Sequence, residues 1–238
     1  MTYKEVYNIA VPPQKRKEEK WNILANNIFR PMSVILTVPL VNTKVKPTTI
    51  TAYSIVAAIL GFFLVAFSRS MELTVLGWFL FFLWDILDGV DGNLARCTNQ
   101  CSPLGDLWDT TGGYAAMVLI YFSAGIAAAY DTNLYVFANP IVLCILGGAT
   151  AIMSIFPRLV MHKKKSSGIE SEVVKEMTNK QNFSLSKIFA LNFISPTGFM
   201  QVFLLICICT HTLNIFIAFY FVVNLGIMIL SLKKLLKA

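Results

Sequence analysis

Apolar residues gather in six long stretches, near 47–68, 73–94, 104–129, 135–160, 193–210 and 212–232, each nearly free of charge. A helix rises 1.5 Å per residue, so roughly 18–25 such residues span the ~30 Å hydrocarbon layer of a bilayer. No stretch alternates apolar and polar positions as a strand would, and lipid does not tolerate open sheet edges. The pattern predicts an all-α membrane protein, a bundle of six transmembrane helices, with 47–232 as one domain. Ahead of it, residues 1–46 read as a polar cytosolic tail followed by a juxtamembrane segment. In that segment Trp21, Ile23, Leu24, Ile28 and Phe29 recur at about helical spacing beside Lys20 and Arg30. This predicts an N-terminal amphipathic surface helix on the cytosolic face, broken or bent at Arg30-Pro31.

Punctuation sets the element ends. Pro47 opens the first span, and Ser102-Pro103 supplies an N-cap and a first-turn proline for the third. The fourth is expected to end at Phe156-Pro157-Arg158. A polar loop containing a short helix follows over 162–192, and 233–238 form a second tail. The N-terminus has no apolar core of a secretory signal.

Charge then orients the bundle. The chain is 56% hydrophobic and carries a net charge of +7. Of its twenty Lys and Arg residues only Arg69 falls in the loops near 69–72, 130–134 and 211. The others lie in the N-terminal segment, at Arg96, in the 158–192 region or in the last residues. This positive-inside distribution places both termini in the cytosol and accounts for the basic balance without nucleic acid. Some lysines are placed to attract anionic lipid headgroups. The five cysteines form no disulfide or zinc pattern and read as structural.

Five of the thirteen acidic residues fall between positions 85 and 109: Asp85, Asp88, Asp91, Asp106 and Asp109. Carboxylates at membrane depth are costly and rarely idle. Asp88 and Asp91 are three apart and share a helix face, and Asp109 opens the next span after a short loop. The three side chains can converge at the cytosolic boundary. Together they need protons or a cation, and oxygen-only ligands favour Mg²⁺, Mn²⁺ or Ca²⁺ over zinc. Gly89, Gly92, Ala95 and Gly105 leave room for close helix approach or for a phosphate. The plain alternative is an acidic helix end that faces the cytosol.

The arrangement Asp88-x2-Asp91-Gly92-x2-Ala95-Arg96-x8-Gly105-x3-Asp109 resembles the signature of the CDP-alcohol phosphotransferase (CDP-alcohol phosphatidyltransferase) family, with seven positions matching within 22 residues. The resemblance implies an integral membrane transferase of phospholipid or related phosphodiester biosynthesis. It would move a substituted phosphate from a CDP-alcohol donor to an alcohol acceptor and release CMP. It further implies a homodimer, in the plasma membrane if the source is bacterial, with a cytosolic active site. On the same footing Asp88, Asp91 and Asp109 would hold two metals, Mg²⁺ or Mn²⁺, against the donor pyrophosphate. Gly92, Ala95 and Gly105 would make room for the nucleotide, and Arg96 would position it or hold the helix ends together. Thr51 resembles a position close to the donor.

One position departs from the pattern. The family carries a fourth aspartate four residues after the third, its usual general base; here that position is Gly113. The chain is then either a variant branch that deprotonates its acceptor differently, a non-catalytic binder of CDP-lipid, or an altered enzyme. Asp106, one turn from Asp109, is the candidate substitute base, with a solvated first-turn aspartate as its plain alternative. Asp85 is a weaker candidate. Arg158 is a candidate for an acceptor or lipid phosphate, or else a topology anchor. A transporter or channel with an acidic cation site is a third class, but such carboxylates belong at the bilayer midplane rather than at a helix end.

Overall fold

The computed structural model describes residues 1–131, 139–167 and 185–237, without the side chains of Glu18, Glu19, 185–187, 189–190 and Lys237. Among the described residues every regular element is helical. Five helices are long and apolar enough to cross a membrane: α4 (Pro47–Phe67), α5 (Met71–Cys97), α6 (Pro103–Tyr130), α7 (Pro140–Ser166) and, over Leu213–Leu236, α10 (Leu213–Lys237). The sixth stretch expected, 193–210, is instead split between α8 (Leu185–Ile194) and α9 (Phe199–Cys209). The chain packs as two compact units, the first from 1–61, 78–116 and 181–202, the second from 62–77, 117–180 and 203–238.

In the first unit the N-terminal residues are not a loose tail. They form α1 (Tyr3–Ala10) and α2 (Pro13–Glu19), and a π-helical turn, Ala25–Phe29, runs straight into α3 (Arg30–Leu40). Thr2 and Glu5 make a reciprocal capping box, the Glu5 N–H reaching Thr2 Oγ1 at 3.4 Å and the Thr2 N–H reaching Glu5 Oε2 at 2.7 Å. Val6, Ala10 and Val11 are buried with Val34 of α3. Pro31 does not interrupt the chain: the Arg30 N–H bonds to Ala25 O, five residues back, so the π turn absorbs the register change before the proline.

The expected ends of the first and third spans hold. The Gly105 N–H donates to Ser102 Oγ at 3.1 Å, which caps α6. Two prolines behave differently from each other. Pro157 is buried inside α7, which continues to Ser166 and carries His162 and the following lysines on helix rather than loop. The rest of the expected polar loop, 168–184, lies outside the described residues. Pro196, by contrast, sits in a true break. A Cβ on Gly198 would lie 2.1 Å from Asn192 O, so only glycine fits there. Asn192 in turn clasps the N-terminal segment, accepting from the Ile23 N–H at 2.8 Å and donating to Trp21 O at 2.6 Å.

In the second unit α6 and α7 cross backbone to backbone at Gly125 and Gly147, and α7 packs on α10. Tyr121, Phe216 and Tyr220 form a buried aromatic cluster. Lys164 Nζ donates to Leu235 O at 2.6 Å and ties two helix ends together.

Candidate active site in the first unit

Helix α5 carries the whole stretch Asp85–Arg96 as helix, so its acids emerge at fixed angles instead of from a glycine-rich loop. Asp91 is buried, and Thr51 of α4 donates to its Oδ2 at 2.5 Å. Its other oxygen, Oδ1, is buried without a hydrogen-bond partner. Asp88 and Asp109 hydrogen-bond to each other across α5 and α6. Two carboxyls can stay so close only with a positive charge between them, a proton or a metal ion.

Thr51, Asp91 and Asp109 border one cavity of about 340 Å³. Of the residues singled out from sequence, Thr51, Asp91, Gly92, Ala95, Arg96, Gly105, Asp106 and Asp109 line it. Asp88 is not among the lining residues and meets the site only through its interaction with Asp109. Asp106 is exposed at the cavity wall. Arg158 is an exposed residue of α7 in the second unit and is not among the lining residues. Asp85 is buried one turn deeper, with Arg30 within electrostatic reach and Oδ2 unpartnered.

The small residues divide by task. Gly89 serves packing, since its Cβ would meet Ser33 of α3 at 2.9 Å. Gly92 faces the Arg96 guanidinium, 3.3 Å from where its Cβ would lie. Around Gly113 nothing lies within 4 Å of an added Cβ.

Sequence reading missed Lys46, Gln100 and Ser102, which also line the cavity. Their signal was position: Lys46 directly precedes the α4 proline, and the other two lie in the spacer between the halves of the aspartate pattern, where Asn99 turns the chain at φ 55°. It also missed Asn93, a fully buried hub. Asn93 Oδ1 accepts from Arg30 Nη1 at 3.2 Å and from Arg96 Nη2 at 3.0 Å, and its Nδ2 donates to Ser33 Oγ at 3.1 Å.

The donor set suits a hard divalent cation. It offers oxygen alone, including the buried Asp91 Oδ1, which has no hydrogen-bond partner. Among the described residues no three His, Cys, Asp or Glu side chains stand close enough together to hold a metal ion by themselves.

Residues 44–230 match the family described as CDP-alcohol phosphatidyltransferase. The chain belongs to this family. It is therefore an integral membrane protein of a group that works on CDP-alcohol donors and alcohol acceptors with divalent metal. A curated relative, "Cholinephosphotransferase 1" of Danio rerio, is 30% identical over 126 residues, covering 49% of this chain and 32% of that protein. The chain thus spans about a third of the length of that relative.

Proposed function

We propose that the chain is an active CDP-alcohol phosphotransferase whose donor site is the cavity of the first unit. The observation that carries this reading is the meeting of Thr51, Asp91, Arg96 and Asp109 around one cavity, with an unpartnered carboxylate oxygen buried in its wall. Asp88, Asp91 and Asp109 would hold Mg²⁺ or Mn²⁺. Metal held there would supply positive charge against the donor pyrophosphate and the departing CMP. Thr51 fixes the rotamer of Asp91 through its 2.5 Å hydrogen bond and so presets one ligand. Arg96 presents donors to phosphate oxygens, while Gly92 and Ala95 keep the wall between them low. The acceptor oxygen attacks the phosphorus that bears the alcohol substituent, the bond to the CMP phosphate breaks, and the acceptor proton leaves to a base.

That base is Asp106 in this reading. Gly113 brings no side chain to the place of the family's fourth aspartate, and Asp106 reaches the same cavity as Asp109. Asp106→Asn is expected to lower transfer by about 10²–10⁴-fold, the usual worth of a general base, with CDP binding retained. Wild-type turnover in that variant would end the assignment. Gly113→Asp is expected to fold normally, because its Cβ meets open space, and to raise transfer. A non-folding product, or a fall in transfer, would show that the space at 113 is needed for something else.

The positive-inside pattern supports a cytosolic site and cytosolic termini. Helices α8 and α9 together supply a sixth crossing, and a homodimer belongs to the same reading. The name of the zebrafish relative makes a phosphocholine donor the first to try beside CDP-diacylglycerol. The test is release of CMP from these donors by purified protein with Mg²⁺ or Mn²⁺ and a panel of alcohol acceptors. The competing reading, a CDP-lipid binder without turnover, is favoured by Gly113 alone; it predicts nucleotide binding with no acceptor-dependent CMP.

A further inference from the structure

The N-terminal helices reach the site through Arg96. Its Nε donates to Ala10 O at 2.8 Å, and its Nη2 donates to Asn93 Oδ1 at 3.0 Å. Ala10 is the last residue of α1, so its carbonyl is one of the four that a helix end leaves without an internal partner. A guanidinium there also sits at the negative pole of the helix. The contact is reinforced from both sides. Cys97, next in the chain after Arg96, packs against the cluster of Val6, Ala10, Val11 and Val34, so α1 grips α5 and α3 together.

Helix α2 is tied to α1 by Arg16. Its Nε donates to Val11 O at 2.8 Å, its Nη2 to Asn8 Oδ1 at 2.8 Å, and its guanidinium lies 4.7 Å from the centre of the Tyr7 ring. So anchored, α2 brings Lys15 within electrostatic reach of Asp109. Lys15 is not among the residues that line the cavity; the two cations that do are Lys46 and Arg96, beside the carboxylates of Asp91, Asp106 and Asp109. One of them, Arg96, is directed by a segment outside the region that matches the family, residues 44–230.

We propose that α1 is part of the donor site: its carbonyl end sets the direction of Arg96 toward the phosphates of a cytidine diphosphate. The inference rests on the donor reading given above. An arginine held in place before the ligand arrives loses less freedom on binding. By reciprocity, a nucleotide that engages Arg96 must also strengthen the docking of α1. Arg96 is a binding group here and the end of α1 positions it; neither takes part in bond making.

The experiment uses the full chain in lipid nanodiscs, with CDP and Mn²⁺ as the probe. Hydrogen exchange of the α1 amides, residues 3–10, is expected to slow on addition of the nucleotide. A chain that binds CDP while α1 exchanges at an unchanged rate overturns the inference and leaves the donor reading standing. A chain that does not bind CDP with Mn²⁺ at all overturns both.

Discussion

Asp91→Asn is expected to reduce CMP release by about 10³-fold, the loss typical of removing a preorganised electrostatic contact from a transition state, while the protein becomes no less stable. Both halves of the result follow from the same geometry. Asp91 Oδ2 is taken by the Thr51 hydroxyl, and Oδ1 is buried without a hydrogen-bond partner. An amide at this place keeps the volume but removes the negative charge that would hold a cation. It also relieves repulsion from the neighbouring carboxyls of Asp88 and Asp109. Functional groups that are poorly satisfied in the resting protein commonly trade stability for activity. CMP release and thermal unfolding measured on the same preparation separate the two effects. Turnover within tenfold of wild type would remove Asp91 from the metal-holding wall, and a marked loss of stability would mean that the carboxylate is structural.

The part of this site that was legible in the sequence is the part built by local geometry. Asp88 and Asp91 share a face because they are three apart on one helix, and Ser102-Pro103 starts the next helix close enough to bring Asp109 back toward them. The α4, α5 and α6 boundaries follow from long apolar runs bounded by Pro47, Ser102 and Pro103. What was not legible depends on partners distant in the chain. Asn93 occupies an unremarked spacer position, and its function as a hub appears only when Arg30 and Ser33, some sixty residues earlier, fold against it. Helices α1 and α2 are 8 and 7 residues long, too short to be stable alone; burial of Val6 and Ala10 against α3 supports α1, and Arg16 ties α2 to α1. The Thr2–Glu5 capping box was a readable signal for α1, hidden by the polar character of the segment. The two prolines show the same limit. Pro157 is carried through because a long helix tolerates one missing hydrogen bond, whereas Pro196 shares its break with Gly198, whose place beside Asn192 O admits no side chain.

The second large effect is expected in the other unit. Gly147→Leu should lose about 3 kcal/mol or more, beyond the usual cost of overpacking, and the folded yield should fall sharply. A Cβ on Gly147 would lie 2.8 Å from the Cα of Gly125 and 3.0 Å from Tyr121 O; one on Gly125 would lie 2.7 Å from the Cα of Gly147. The obstructing atoms are backbone, so no rotamer change relieves them, and α6 and α7 must move apart. In lipid there is no hydrophobic drive to hold separated helices together, since the acyl chains compete on equal terms with leucine. What holds this crossing is the close contact that only two glycines permit. Gly148→Leu is the matched comparison on the same helix, because its nearest neighbours are Phe122 ring atoms at 4.0 Å, and it should stay within about 1 kcal/mol of wild type. Unfolding temperatures of the two variants in the same detergent decide the point. Equal stability would mean that the α6–α7 crossing is held by something other than backbone contact, and the difference between two adjacent glycines would then have no steric cause.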